Sequence, residues 1–325
     1  MFKKMEYVYT VYKEQSFTKA AEKLYVSQPC LSSAIRKIEE EIGMPLFERR
    51  YSAVRPTEIG KAYLETAERI MNLEKDFAAR VSDMNRLEQG SITIGGSNYV
   101  SSYILPLVVS RFSRDYPKIN ISLVETSSVE LQKKIIDEEI DLVIDSFNEE
   151  VKNFEYVPLL NEQILLAVPA ACKCNEGLEG YRTTPKEIYL GGITAESLRE
   201  VFIEKFENEK FILLKSGHNM HHQAVTIFRE NHFTPQVSFR MDQLLTSYAL
   251  AASGNGVCFV TDTMFKYHRF PDEVYLYRVR GSGHRTLSIA GKKNRYVTRA
   301  MERFIQVAGE TIISPGLGLP CAEAD

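Results

Sequence analysis

SFTKAAEKLYVSQPCLSSAIRKIEEEIG (residues 16–43) determines how the first part of this chain folds. Ser16 and Ser27 each precede a run with helical spacing, so each hydroxyl can accept a hydrogen bond from a free N–H at a helix start. In the second run, Leu31, Ile35 and Ile38 recur at intervals of four and three and predict a buried face. Two short capped helices joined by a tight turn are typical of a helix-turn-helix.

The second helix of this pair has a polar face on which Gln28, Ser32, Ser33 and Arg36 lie away from the predicted core. Short polar groups and one arginine near the N-terminal half suit a helix that enters the major groove of DNA. Gln28 is suited to an adenine edge, and Arg36 to a guanine edge or a phosphate. The alternative interpretation is a small helical domain whose polar face is merely solvated.

A short basic hairpin is predicted after this helix, over residues 48–55. Its arginines suit the phosphate backbone of DNA, so the hairpin is interpreted as a wing. The arginines are Arg49, Arg50 and Arg55.

Charge and composition limit the interpretation only loosely. The formal net charge is −3 over 325 residues, although residues 1–60 carry ten Lys and Arg against eight Asp and Glu. This basic excess is small, so the DNA-binding prediction depends on the residue pattern. No apolar run has the length of a membrane span and the N-terminus lacks a signal-peptide core, so we expect a cytoplasmic chain without a membrane partner. Five scattered cysteines predict reduced thiols and no disulfide framework.

The N-terminal sixty residues resemble the LysR-type transcriptional regulators at family-typical spacing. The resemblance implies that Arg49, Arg50 and Arg55 lie near phosphate. It also implies that the DNA groove is lined by Ser27, Gln28, Pro29, Ser32, Ser33 and Arg36. Cys30 and Ile38 depart from the usual residues of the family, but both are compatible with the core. The matching residues are Ser16-Phe17-Thr18-Lys19-Ala20-Ala21-Glu22-Lys23-Leu24, Ser27-Gln28-Pro29, Ser33, Ile35, Glu39, Gly43, Leu46-Phe47, Arg49 and Thr57-Glu58-Ile59-Gly60.

A long helix is predicted from Thr57 to about Leu87, because no proline interrupts this segment. Such a helix of about 30 residues extends about 45 Å, and its apolar stripe needs a partner. We interpret it as a dimerisation helix, which would place two recognition helices on a roughly palindromic site. Packing against its own chain is the alternative. The predicted seam is Tyr63, Thr66, Ile70, Leu73, Phe77, Arg80, Met84 and Leu87.

From residue 91 onward, strand-like and helix-like segments alternate, which predicts parallel α/β sheets. The order resembles the effector domain of LysR-type regulators, which implies two α/β lobes similar to those of a periplasmic binding protein. The resemblance extends to about residue 308, and the chain is expected to pass between lobes near residues 160–163 and 266–272. The landmarks are Leu105-Pro106, Phe112, Tyr116-Pro117, Asp141-Leu142-Val143-Ile144 and Ala252-Ser253-Gly254-Asn255-Gly256-Val257.

The predicted fold is therefore multi-domain, with a winged helix-turn-helix, a linker helix and a two-lobed α/β effector domain. The expected boundaries are 1–58 for the DNA-binding domain and 59–88 for the dimerisation helix. The effector domain is expected over 89–308, with lobe I at about 91–161 plus 268–308 and lobe II at about 162–267. Residues 309–325 are rich in Gly and Pro and are predicted to form a disordered tail.

An effector site is predicted where the strands of the two lobes end, because ligands of parallel α/β sheets bind beyond the carboxyl ends of the strands. Hydroxyls and helix N-terminal N–H groups suit a carboxylate or a similar anion. The alternative is that these residues are only helix caps and loop polar groups. The candidates are Ser97, Asn98 and Tyr99; Thr126, Ser127 and Ser128; Ser216, Gly217, His218 and Asn219; and Thr261 with Asp262.

Weaker signals predict neither a metal nor a cofactor. His218, His221 and His222 stand close together, but no cysteine or carboxylate nearby in the sequence completes a ligand set. The single residue between Cys172 and Cys174 is fewer than the two to four that separate zinc-finger thiols, so a surface loop is expected there. Cys258 lies in a buried-looking strand and is interpreted as a core residue, with redox sensing as the alternative.

The function expected from these features is a sequence-specific transcriptional regulator of the LysR type. Its expected partners are double-stranded DNA, a small anionic effector, further copies of itself as homodimer or homotetramer, and RNA polymerase indirectly. One alternative is an enzyme with a DNA-binding appendage, but no P-loop, nucleophile elbow or convincing metal set is found. The other alternative is a DNA-binding protein that ignores ligands.

Overall fold

The structure is a computed structural model that describes residues 4–48, 54–84, 90–147 and 151–313. It divides the chain into two compact units, Met1–Met84 and Asn85–Asp325. Over the described residues, no helix is both long enough and apolar enough to cross a membrane.

The first unit is helical and begins as the sequence predicts. The N–H of Lys19 donates to Ser16 Oγ at 3.4 Å, and the N–H of Cys30 donates to Ser27 Oγ at 3.3 Å. Gly43 ends the recognition helix with a left-handed backbone (φ 79°), which glycine adopts without a steric penalty. The helices are α1 Met5–Glu14, α2 Phe17–Lys23, α3 Gln28–Ile42 and α4 Glu58–Met84.

The core of the first unit joins the helix-turn-helix to the start of α4. Ala20 and Ala21 are buried, and their small side chains allow the neighbouring helices to approach closely. Tyr63, at the start of the predicted dimer seam, belongs to this same core, so that part of the seam packs within its own chain. Thr57 caps α4 by accepting from the N–H of Gly60 at 3.0 Å. The remaining core side chains include Val8, Val11, Leu31, Ile35, Ile38, Leu46, Phe47, Leu64 and Ala67.

The two ends of the predicted wing lie side by side. The N–H of Glu48 donates to the carbonyl of Arg55 at 2.8 Å, and Phe47 forms a β-bridge with Pro56. This pairing is what a hairpin requires at its base. Arg49 and Arg50 lie outside the described residues.

The first lobe of the second unit contains a parallel sheet with helices on it. β1 (Gly90–Gly96) pairs in parallel with both β2 (Ile119–Glu125) and β3 (Leu142–Ser146). Helix α12 (Arg299–Ile313) packs on α6 (Leu105–Asp115) through Phe304 and Phe112, whose ring centroids are 5.3 Å apart. The elements are β1 Gly90–Gly96, α5 Asn98–Tyr103, α6 Leu105–Asp115, β2 Ile119–Glu125, α7 Ser128–Ile136, β3 Leu142–Ser146, β4 Phe154–Pro169, β11 His284–Lys292 and α12 Arg299–Ile313.

The second lobe repeats this arrangement around β7 (Lys210–Leu214), which pairs in parallel with β8 (Gln236–Met241) and β9 (Val257–Thr261). Short 3-10 turns lie at Lys173–Asn175, Glu179–Tyr181, Ala195–Ser197 and Ile203–Phe206. The other elements are β5 Arg182–Thr183, α8 Pro185–Tyr189, β6 Glu200–Val201, β7 Lys210–Leu214, α9 Asn219–Glu230, β8 Gln236–Met241, α10 Leu244–Ala252, β9 Val257–Thr261, α11 Thr263–Tyr267 and β10 Val274–Val279.

Strand β4 connects the two lobes. Its first part pairs with β11 up to Gln163, and from Ile164 onward it pairs with β9. The strands are hydrogen-bonded in the order β2-β1-β3-β11-β4-β9-β7-β8, with β10 paired to β4 beside this path. β4 therefore changes its pairing partner between Gln163 and Ile164.

Two boundary predictions are wrong. The chain does not return to the first lobe near 266–272, because β10 (Val274–Val279) still pairs with the second-lobe part of β4, and the return falls between β10 and β11. The predicted tail does not start at Gly309, because α12 continues to Ile313. The apolar spacing of this helix extends past Gly309 to the buried Ile312. Residues 314–325 lie outside the described residues.

The expectation that all thiols are reduced is also wrong for one pair. Cys172 and Cys174 are joined as a disulfide across the 3-10 turn at Lys173–Asn175, with their Cα atoms 5.3 Å apart. This turn brings the two side chains together, a local geometry that the expected surface loop does not anticipate. Cys258 is fully buried in β9, as predicted for a core residue.

Candidate DNA-binding and effector sites

The N-terminal half of α3 presents an exposed polar surface. Gln28, Ser33 and Arg36 are exposed and Ser32 is half-buried, while the apolar side chains of the same helix point into the core. The Gln28 side-chain amide donates to Ser32 Oγ at 3.0 Å, four residues further along the helix. Ser27 and Pro29 are also exposed, so the predicted groove-lining residues share one accessible end of the helix.

Tyr25 is a candidate contact that the sequence analysis did not identify. It occupies the turn between α2 and α3 with φ 54°, and 96% of its surface is exposed. A tyrosine held outward beside a recognition helix can donate its hydroxyl to a phosphate oxygen. The signal available in the sequence was an aromatic residue placed directly before the Ser27 cap. Arg55, the described member of the predicted wing arginines, is exposed as well.

The later part of α4 carries exposed apolar side chains. Leu73 is 68% exposed, Phe77 is 69% exposed and Val81 is 41% exposed, at intervals of four residues along the helix. Ile70, one turn earlier, is half-buried. An apolar stripe of this kind requires a partner surface to be stable in water.

In the first lobe, the predicted effector residues gather around a buried carboxylate. Asp145, near the end of β3, is 3% exposed. Ser97 Oγ donates to one of its oxygens at 3.2 Å, and Ser128 Oγ donates to the other at 2.6 Å. Burial raises the pKa of Asp145, while these hydroxyls and the charge of Arg285 act in the opposite direction. The chain's own carboxylate therefore occupies the position expected for an anionic ligand.

A second polar network links the two lobes. Glu162 of β4 is fully buried and accepts from Arg285 Nε at 2.7 Å. The Tyr99 hydroxyl donates to Glu162 at 3.1 Å and also contacts Thr263 Oγ1. Thr263 donates to Glu162 as well and contacts Thr261. The hydroxyl groups of Tyr99 and Thr261 therefore have their partners within this network.

Asn219, the first residue of α9, connects these two networks. Its side-chain N–H donates to the backbone carbonyl of Ser146 at 3.0 Å, and its side-chain amide oxygen accepts from Arg285 at 3.1 Å. Burial lowers the pKa of the neighbouring His218 and so disfavours its charged form. The Arg285 guanidinium already donates to groups of the chain itself, namely Glu162 and Asn219.

The other predicted effector residues surround these networks. Asn98 donates to Glu125 at 2.8 Å, and Ser127 caps α7 by accepting from the N–H of Glu130 at 3.4 Å. Thr126 and Gly217 are half-buried, and Ser216 is exposed. Asp262, buried beside Thr261, accepts from the N–H of Gln163 at 2.8 Å. Among the residues that the structure describes, the strand ends therefore bring the candidates of both lobes together.

Charged residues that the sequence analysis missed organise this site. Arg285 and Glu162 are 123 residues apart in the chain, and neither belongs to a motif. Asp145 directly follows the apolar residues Leu142-Val143-Ile144. The available signal was the presence of an acid within an otherwise apolar strand, because buried acids require partners.

Comparison with known protein families accounts for nearly all of the chain. Residues 2–61 match the family described as "Bacterial regulatory helix-turn-helix protein, lysR family". Residues 85–312 match the family described as "LysR substrate binding domain". An uncharacterized HTH-type transcriptional regulator of Bacillus subtilis (strain 168), YcgK, is 31% identical over 317 residues, which cover 95% of this chain and 94% of the relative.

Solved structures share the fold. Full-length OxyR from Pseudomonas aeruginosa superposes with a TM-score of 0.64 at 21% identity, covering 96% of this chain and 97% of that one. CbnR, in a complex with its target DNA, superposes with a TM-score of 0.58 at 19% identity, covering 96% and 99%. The named relatives are regulators of transcription. This chain belongs to the LysR family of DNA-binding transcriptional regulators.

Proposed function

We propose that the exposed end of α3 reads the operator in the major groove. The observation that supports this most strongly is the separation of the two faces of α3, with Leu31, Ile35 and Ile38 buried and Gln28 and Arg36 exposed. Ser27, Pro29, Ser32 and Ser33 line the same end, and Arg55 and Tyr25 are proposed to contact phosphate. CbnR, a structural neighbour, has been solved with its target DNA.

Replacing Arg36 with alanine is expected to weaken binding to the preferred DNA by about 1–3 kcal/mol while binding to unrelated DNA changes little, because a base-edge contact carries specificity. The measurement is a titration of both DNAs by fluorescence anisotropy at one salt concentration. Lys37→Ala is the matched control, since Lys37 is the next exposed cation on α3 and its loss should weaken both DNAs alike. Equal weakening of both DNAs by Arg36→Ala would assign Arg36 to phosphate instead.

We propose a small polar effector that binds where the strand ends of the two lobes meet. Ser97, Ser128 and Asn219 lie there, each hydrogen-bonded to a group of the chain itself. A ligand that binds one arrangement of these lobes more tightly would shift the population of that arrangement and hence DNA binding. Ser97 and Ser128 already donate to Asp145. The proposed effector is therefore polar and is not limited to the anions expected from the sequence.

The test is a melting-temperature screen of the full chain against small carboxylates, amines and polyols, since a ligand that binds only the folded state raises the melting temperature. A compound bound at this site should give a smaller shift with Ser97→Ala than with the parent chain. Ser101→Ala is the matched control, because Ser101 Oγ donates to the carbonyl of Gly96 at 3.2 Å and not to the Asp145 cluster that Ser97 joins. Equal shifts in all three chains would place the compound elsewhere.

We further propose that α4 dimerises the chain through Leu73, Phe77 and Val81. We also propose residues 1–58 as the DNA-binding domain and residues 59–88 as the dimerisation helix. A dimer presents two copies of α3 to two half-sites, and pairing of dimers would give a tetramer. RNA polymerase is proposed as an indirect partner, affected by where the bound oligomer lies on a promoter.

A further inference from the structure

The disulfide between Cys172 and Cys174 lies outside the sites described above. It follows β4 on the 3-10 turn at Lys173–Asn175, whereas the effector candidates of this lobe follow the ends of β7 and β9. Both cysteines are half-buried, so small reagents can reach them, while Cys258 is fully buried. We propose that Cys172 and Cys174 form a reversible redox site that exchanges electrons with small thiols and disulfides.

The position of the bond in the sequence argues against a structural role. A disulfide stabilises a fold mainly by restricting the unfolded chain, and this effect grows with the length of the loop that is closed. Only one residue lies between Cys172 and Cys174, so the unfolded chain is hardly restricted. This bond therefore adds little to the free energy of folding, and folding does little to protect it from reduction. A structural disulfide, in contrast, resists reduction because the fold is stabilised by it.

The turn is held by contacts that do not involve the disulfide. The side-chain amide of the buried Asn175 donates to the carbonyl of Pro169 at 2.8 Å and to that of Ala170 at 3.2 Å. The Tyr277 hydroxyl donates to the Asn175 side-chain oxygen at 2.7 Å. These bonds keep the turn in place when the disulfide is reduced. The two thiols then stay close together, which favours closing the bond again.

A carboxylate completes the surroundings of the pair. An oxygen of Glu209, just before β7, lies within 4.8 Å of both sulfur atoms. Its negative charge disfavours a thiolate on either cysteine. Two sulfurs and a carboxylate also resemble a set of metal ligands, but the bonded sulfurs favour the redox interpretation, since a disulfide leaves no thiolate for a metal.

The exchange is balanced with a small disulfide, RSSR, as the oxidant. The thiolate of Cys172 attacks one sulfur of RSSR, forms a mixed disulfide and releases RS⁻. The thiolate of Cys174 then attacks Cys172 Sγ and releases the second RS⁻. The two protons of the original thiols go to the two released thiolates. The chain has lost two electrons and two protons, and RSSR has become two RSH.

The experiment equilibrates the full chain in buffers of differing ratios of reduced to oxidised glutathione and then blocks free thiols with N-ethylmaleimide. Cleavage after glutamate releases residues 163–176, which hold both cysteines and no other thiol. We expect this peptide to change reversibly between a disulfide without adducts and a dithiol with two adducts as the ratio changes. Cys174→Ser should stop the reaction at a mixed disulfide of Cys172 with glutathione.

Two results would overturn the proposal. In one, the peptide stays a dithiol even in oxidised glutathione alone. In the other, it stays a disulfide even in reduced glutathione alone. If the reduced pair resists oxidation and added Zn²⁺ protects it from N-ethylmaleimide, the three residues are a metal site instead.

The Glu209→Gln variant of the reduced chain should react with N-ethylmaleimide about two- to fivefold faster at neutral pH, because removal of the negative charge favours the reactive thiolate. Glu207→Gln, at a nearby exposed position, is the matched control.

Discussion

Replacing Arg285 with methionine is expected to lower the free energy of unfolding by about 3–5 kcal/mol at neutral pH, because a buried ion pair then loses one partner. Arg285 is 8% exposed and donates to Glu162, which is fully buried. It also lies close enough to Asp145 for its charge to lower the pKa of that carboxyl. Methionine keeps an unbranched apolar chain of similar length but leaves both acids without their counter-charge. Urea denaturation followed by circular dichroism measures the loss.

This loss should depend on pH in a defined direction. The pKa of Asp145 is already raised by burial, and removing the Arg285 charge raises it further. An acid whose pKa is higher in the folded chain than in the unfolded chain favours folding at low pH, and this contribution is lost as the pH rises through the folded-state pKa. The difference between Arg285→Met and the parent chain is therefore smallest in acid and increases toward neutral pH.

Two further variants make the Arg285 experiment specific. Arg280→Met removes an exposed arginine that stacks on Phe202 and should cost well under about 1 kcal/mol. Adding Glu162→Gln to Arg285→Met should recover part of the loss, because it removes the orphaned charge. A loss below about 0.5 kcal/mol for Arg285→Met, or a loss that does not vary with pH, would contradict the assigned network.

Replacing Phe77 with aspartate is expected to weaken self-association by roughly 100-fold or more, about 3 kcal/mol. Phe77 is 69% exposed in the single chain, and burying such a side chain contributes about 1.5–3 kcal/mol on each of two chains. Aspartate at the same position adds a charge that a dimer would have to bury or bring near its copy. Sedimentation velocity over a range of concentrations measures the change in mass.

The control for Phe77→Asp is Arg69→Asp, on the same helix. Arg69 is exposed and pairs with Glu65 at 2.8 Å, an interaction between solvated side chains that contributes little. This variant should keep the parent mass. An unchanged mass for Phe77→Asp would show that α4 does not form the dimer through this stripe.

Capping residues and apolar spacing in the sequence predicted the helices α2, α3 and α4. Ser16, Ser27 and Ser127 cap helices where the sequence expects caps, because a hydroxyl at that position acts on an N–H only a few residues away. The strands Ile119–Glu125 and Val257–Thr261 follow from short apolar runs bounded by turn residues. The alternation of such runs predicted parallel α/β sheets, and the resemblance to the LysR-type effector domain implied their division into two lobes.

Features that depend on distant residues were not predictable in this way. The Arg285–Glu162 pair and the Asp145 cluster form only when β3, β4 and β11 lie side by side, and no local pattern encodes that pairing. The return to the first lobe was misplaced for the same reason, since β10 is assigned to a lobe by its partner β4. Asn219 and Tyr99 make hydrogen bonds that connect the two lobes, and contact of the candidate effector residues with a ligand stays a prediction.

Selection of bound sequences from a random pool of double-stranded DNA, using the full chain, tests whether a dimer reads DNA through α3. We expect an enriched site made of two inverted half-sites whose centres are about one helical turn, or a multiple of it, apart. We also expect Arg36→Ala to relax the preference at the same position in both half-sites. A pool without any enriched sequence, or an enriched site without a repeated half, would contradict a dimer that reads DNA through α3.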